Sequence, residues 1–230
     1  MKKCNEVKES KKGFVSANND VELVMILDRS GSMQGLEKDT IGGFNSTIES
    51  QKKGEGNVLV TTILFDHEMI TLHDRLPIDE VKPLTEDDYQ PRGTTALLDA
   101  VGSMIEHIET IHKYARPEDI PGKTIFVITT DGMENASSRF SVGDVRRLIE
   151  QKKEAEGWEF IFLGANIDAV SVAGSMGIEA SRSVRYRSDG VGTRMMFASL
   201  GKAIHSFRCN ESLDTGAWKA DVEEDSKKRK

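Results

Sequence analysis

Residues 21–35 read VELVMILDRSGSMQG. From Val21 to Leu27 the chain is apolar but for Glu22, and then it stops at a carboxylate, Asp28, followed by hydroxyls at Ser30 and Ser32 with Gly31 between them. A short, nearly continuous apolar run of this kind reads as a strand buried on both faces, the habit of parallel sheets covered by helices. The three oxygen-bearing side chains at alternate positions need their own reason. In a tight loop relieved by Gly31, a DxSxS spacing turns all three toward one point.

Outward from this strand the chain alternates. LEKDTIGGFNSTIESQKK (36–53) has a helical pattern, weakened by Gly42 and Gly43, each of which costs about 1 kcal/mol against alanine in a helix interior. NVLVTTILFDHEMITLH (57–73) reads as a hairpin turning near Asp66, His67 and Glu68, and a loop with Pro77, Pro83 and Pro91 follows. TALLDAVGSMIEHIETIHKY (95–114) sets Leu97, Leu98, Val101, Met104, Ile105, Ile108 and Ile111 on one helical face. KTIFVITTDG (123–132) is another strand ending in a carboxylate, Asp131. SVGDVRRLIEQKKEAEG (141–157) is a helix with Ser141 as N-cap and Gly157 as its stop. WEFIFLG (158–164), a short helix in NIDAVSVAGSMG (166–177), a strand in SVRYRS (183–188) and a helix in VGTRMMFASLGKAIHSF (191–207) complete the order.

That order predicts a Rossmann-like, doubly wound α/β domain: a mostly parallel six-stranded sheet with one antiparallel edge strand and helices on both faces. The expected domain spans residues 20–209, between a flexible N-terminal segment (1–19) and a flexible charged C-terminal tail (210–230), neither of which shows an apolar period. In such sheets ligands bind beyond the carboxyl ends of the strands where the winding reverses, and Asp28 and Asp131 stand at two of those ends.

Composition narrows the function. The 230-residue chain has a formal net charge of -7, which argues against a phosphate-backbone binder; the terminal KKRK reads as a solvated tail. Apolar runs are strand-sized and fall short of the ~20 residues of a membrane span. The N-terminal lysines lack the apolar segment of a signal peptide, so a cytoplasmic protein is expected, with Cys4 and Cys209 as free thiols.

Two carboxylates and two hydroxyls at a strand-end crevice form an all-oxygen set that suits Mg²⁺, Mn²⁺ or Ca²⁺ and suits Zn²⁺ poorly. A third segment, RGTTALLDA, brings Thr94 and Thr95 to the start of the strongest helix. DRSGS, the threonine of GTTALLDA and TTDG, in that order and on those elements, resemble the metal-ion-dependent adhesion site (MIDAS) of von Willebrand factor type A (vWA) domains, bacterial or phage cytoplasmic type. The resemblance covers about residues 20 to 209 and implies Asp28, Ser30 and Ser32 from the first motif, one threonine from the second and Asp131 from the third as metal residues. The preceding glycine favours Thr94 and the spacing to TALLDA favours Thr95, which ranks first.

The resemblance further implies a divalent cation, usually Mg²⁺, with an open position completed by a partner's Asp or Glu, and, from relatives of this kind, an AAA+ ATPase as partner. The expected function is thus a metal-dependent protein-binding module rather than an enzyme. A Mg²⁺- or Mn²⁺-dependent phosphoesterase is the alternative, weakened because DRSGS lacks the second aspartate of a DxD phosphatase. A domain folding without metal is the third. Asp66 and Asn135 are further candidates to line the site, against their commoner role as turn formers. The histidines at 67, 73, 107 and 112 read as solvated residues, without a zinc spacing. PGKT (121–124) lacks the earlier glycine of a phosphate loop and precedes a strand.

Overall fold

The computed structural model describes residues 19–165 and 167–229. Six strands, β1 (Val21–Asp28), β2 (Val58–Phe65), β3 (Met69–Pro77), β4 (Lys123–Thr130), β5 (Glu159–Ala165) and β6 (Ser183–Tyr186), form one sheet in the order β3-β2-β1-β4-β5-β6. Only β3 runs antiparallel. The helices are α1 (Glu37–Lys52), α2 (Leu97–Tyr114), α3 (Val142–Glu156), α4 (Ala169–Ser175), α5 (Gly190–Arg208) and α6 (Ala220–Lys228). The doubly wound architecture expected from the sequence is therefore observed.

Every residue of β1 is buried, because the strand lies between β2 and β4 and both sheet faces are covered. Its side chains alternate between two cores. Leu23, Met25 and Leu27 pack with Phe44, Phe197 and Leu200 of α1 and α5, while Val24 and Ile26 pack with Val101, Ile105 and Ile149 of α2 and α3. Register sets Leu27 opposite Thr129 and Asp28 opposite Phe65, so β1, β2 and β4 end at one level. The winding reverses between β1 and β4, which places Asp28 and Asp131 at the crevice where such sheets bind ligands.

The edge strand β3 runs on to Pro77, which the sequence reading had left in the loop. Proline is tolerated at an edge because its missing N–H removes no bond from an inner ladder. Its pairing with β2 slips at Val60/Thr62 and again at Thr62/Ile63, and Arg75 adopts φ 50°.

The flexible tail expected from residue 210 is corrected in its second half. Residues 217–228 form a 3₁₀ turn and α6, which packs on α5 and β6. Trp218 and Val222 enter the α1/α5 core, the Trp218 indole N–H donates to Ser181 O at 3.0 Å, and Lys219 Nζ donates to the carbonyls of Ala180 and Ser183. Two core residues four apart are too few to show a period in a segment otherwise charged. The N-terminal segment, 1–18, lies outside the described residues.

Cys209 is disulfide-bonded, so the free thiol expected there is not observed; Cys4 lies outside the described residues. Among the described residues no helix is long and apolar enough to cross a membrane.

The paired glycines of α1 differ in purpose. A Cβ on Gly43 would come within 2.1 Å of the Phe197 ring, so this glycine lets α1 and α5 approach closely. A Cβ on Gly42 would meet nothing within 4 Å. Gly42→Ala is expected to raise stability by about 0.5–1 kcal/mol and Gly43→Ala to lower it by about 1–3 kcal/mol in urea denaturation. Equal effects at the two positions would contradict this packing.

Candidate metal centre

The site is assembled from β1 outward. Asp28 closes the strand and ties the turn to itself: its Oδ1 accepts the Ser30 amide at 2.6 Å and its Oδ2 accepts the Thr130 hydroxyl at 2.5 Å. Tyr89, fully buried, donates its hydroxyl to the Asp28 carbonyl. Beyond Ser30 the chain makes one 3₁₀ turn, Gly31–Met33, which sets Ser30 Oγ 3.1 Å from Ser32 Oγ. Ser32 Oγ in turn donates to Asp131 Oδ1 at 2.5 Å. The alternate spacing read in the sequence is thus a loop whose hydroxyls reach from one strand end to the next.

The threonine segment is fixed by backbone bonds. The amide of Gly31 donates to Gly93 O, that of Arg92 to Arg29 O and that of Ala96 to Asp66 O. Asn135 clamps the next residue from both sides, accepting the Thr95 amide at 2.9 Å on its Oδ1 and donating its own amide to Thr95 O at 3.1 Å. Thr95 is buried as a result, and Thr94 faces solvent. A Cβ placed on Gly132 would lie 2.8 Å from Thr95 Oγ1, 3.1 Å from Ser32 Oγ and 3.5 Å from Ser30 Oγ. Three hydroxyls from two segments therefore converge beside the third, at a position only glycine leaves open.

Asp28, Ser30, Ser32, Thr95 and Asp131 are thus brought together. Asn135 acts on the position of Thr95. Asp66 is anchored elsewhere: its buried carboxylate lies 3.1 Å from Arg29 Nε and 3.0 Å from Arg92 Nε and accepts the Glu68 amide. Among the described residues Asp66, His67 and Glu68 are close enough together to share a metal ion. Two guanidinium groups already face Asp66, however, and Arg92 also pairs with Glu68, so a dication there would meet fixed positive charge. Three of the four histidines lie apart from the site, His73 stacking with Phe44, His107 pairing with Asp74 and His112 with Glu22, whereas His67 lies 3.1 Å from the Asp66 carboxylate and against Gly93 of the threonine loop.

Sequence reasoning missed Thr130, Tyr89, Tyr186 and Ser188. Thr130 stood beside Asp131 in the quoted TTDG motif, and its adjacency was the available signal. The others reach the site only through folding.

Burial dominates the electrostatics. It pushes the Asp28 carboxyl above the usual carboxylate range, against the hydroxyls of Thr130 and Ser30, with the charge of Asp131 adding to the rise. It raises Asp131 as well, against hydrogen bonds from Ser32, its own backbone amide and Ser188. Asp131 Oδ2 is buried without a hydrogen-bond partner. Two buried carboxylates that repel, an unpartnered carboxylate oxygen and converging hydroxyls fit a hard divalent cation, which takes oxygen donors.

No family model matches the chain, and no curated protein matches it in sequence. Solved structures do. A von Willebrand factor type A protein from Catenulispora acidiphila matches with TM-score 0.57 and 13% identity, over 83% of this chain and 43% of that one. The vWF domain of the type V pili tip protein Mfa5 from Porphyromonas gingivalis matches with TM-score 0.53 and 11% identity, over 80% and 95%. Proximal thread matrix protein 1 from the mussel byssus, in a structure with a zinc-occupied MIDAS motif, matches with TM-score 0.55 and 12% identity, over 83% and 47%. The chain spans about half the length of the mussel protein chains it matches. At these identities the likeness shows the fold, which is that of vWA domains.

The raised carboxylates predict a pH dependence. A carboxyl raised in the fold contributes stability below its unfolded value, near 3.8, and that contribution is lost as pH rises through the folded value. In EDTA, Asp131→Asn is expected to melt above wild type at about pH 7, with the gap closing toward about pH 4. A gap of constant size across that range would contradict the burial of a charged Asp131.

Proposed function

We propose that this vWA-fold chain is a metal-dependent protein-binding module, in which Asp28, Ser30, Ser32, Thr95 and Asp131 hold a divalent cation. The observation that carries this reading is the unpartnered, buried Oδ2 of Asp131 beside three hydroxyls gathered at Gly132. Bound there, the cation would offset both carboxylates and leave a position that a partner's Asp or Glu could complete. The oxygen-only donor set suits Mg²⁺, Mn²⁺ or Ca²⁺. The zinc of the mussel structure supports a divalent ion in this motif without fixing which one this chain prefers.

The chain's own residues supply orientation. Thr130 and the Ser30 amide hold Asp28 in a single pose, Asn135 holds Thr95, and the Asp66–Arg29–Arg92 contacts hold the loop between them. Met133, two residues beyond Asp131, is 75% exposed. Methionine is adaptable and enriched in interface cores, which supports a protein surface as the occupant of the neighbouring space. An AAA+ ATPase partner extends the proposal, from the resemblance alone. A cytoplasmic setting belongs to the same extension.

Non-enzymatic action is part of the proposal. The hydroxyls and carboxylates at the site are engaged with one another, the histidines 73, 107 and 112 are paired or packed elsewhere, and His67, beside Gly93, pairs with Asp66. This supports binding over general acid–base chemistry.

Thermal melts in EDTA, Mg²⁺ and Mn²⁺ test the site. A ligand that binds only the native state adds about 2.7 kcal/mol at a hundredfold its Kd. Wild type is expected to gain stability with metal and Asp28→Ala to show no gain. A flat wild-type response would overturn the reading. In pull-downs, the partner is expected in Mg²⁺, absent in EDTA, and reduced with Met133→Ser, a variant that keeps the metal response.

A further inference from the structure

Tyr186 closes β6 with its side chain 1% exposed and its hydroxyl buried without a hydrogen-bond partner. A phenylalanine would fill the same space without burying an unmatched polar atom, so the hydroxyl calls for a use. Sheet register indicates one. Tyr186 pairs with Ala165, the last residue of β5, and Gly164 pairs with Thr130, the last residue of β4. Asp131 therefore follows at the level of Ala165 and Tyr186, two strand spacings, about 10 Å, from the latter.

Tyr186 and Ala165 face the α1/α5 core together with Val127, and Asp131 is an even number of residues beyond Val127 and so continues that face. Ala165, on the strand between them, presents no more than a methyl group on that face. The chain past β6 also leans this way, because the Ser188 hydroxyl bonds the Asp131 carboxylate. At one level of the sheet, then, two buried polar atoms lack partners, Asp131 Oδ2 and the Tyr186 hydroxyl.

We propose that Tyr186 is a positioning residue of the metal site: its hydroxyl donates through one water toward the outer oxygen of Asp131, and with Ser188 it fixes how that carboxylate meets the cation. This rests on the metal-site reading above. A phenol keeps its proton at neutral pH, so the hydroxyl is available as a donor. Groups that orient metal ligands from behind alter affinity without touching the ion, and their loss weakens binding about 10- to 100-fold.

Mg²⁺ and Mn²⁺ titrations followed by thermal shift, on wild type, Tyr186→Phe, Ser188→Ala and Asp28→Ala, test the inference. Tyr186→Phe is expected to melt at or above wild type in EDTA, since it deletes an unmatched hydroxyl, and to bind metal about tenfold more weakly. Ser188→Ala should weaken binding in the same direction. A Tyr186→Phe titration that superimposes on wild type overturns this inference and leaves the metal site standing, whatever the melt in EDTA. A wild type that does not respond to metal, matching Asp28→Ala, overturns both.

Discussion

Two like charges at the ends of adjacent parallel strands govern the top of this molecule. Burial pushes both Asp28 and Asp131 above the usual carboxylate range, and the charge of Asp131 adds to the rise at Asp28. The fold does not separate them, because β1 and β4 end at one level and lie side by side. It surrounds them with hydroxyls instead, from Ser30, Ser32, Thr130 and Ser188. Hydroxyls stabilise a carboxylate but cannot neutralise it, and Asp131 retains an oxygen they do not reach.

The contrast with Asp66 is instructive. That carboxylate is equally buried and sits one strand away, yet two arginines face it. Arg29 follows Asp28 directly and Arg92 precedes the threonine loop by three residues, so the pairing binds together the two segments that line the site. One buried aspartate is matched by positive charge within the chain and holds the scaffold still, while the other two meet only hydroxyls and amides. On the proposed metal reading the division follows from space and charge, since a guanidinium beside Asp28 would take the place of the cation.

Much of this was legible in the sequence because the signals were local. Strand runs such as VELVMIL and KTIFVITT, and the helical face from Leu97 to Ile108, carry their period within a single element. DRSGS carries its geometry in five consecutive residues. What was hidden depends on distant contacts. The choice between Thr94 and Thr95 turns on Asn135, which no spacing around the threonines reports. Tyr186 and Ser188 approach Asp131 only once β5 lies between them and β4. The last helix and the turn before it escaped notice because Trp218 and Val222 are the large apolar residues they bury, and the charges around them pair locally, as Lys219 does with Glu223 and Lys228 with Glu224.

The outer strand β3 bears on how this chain avoids its own kind. An unpaired strand edge is a template for lateral association, and proteins blunt it with bulges, charges and proline. Here the slipped pairing near Thr62, the left-handed turn of Arg75, the charges of Asp74 and Arg75 and the closing Pro77 interrupt that edge over much of its length. At the opposite margin β6 is only four residues long. A sheet blunted on one side and brief on the other offers little for sideways stacking into ribbons.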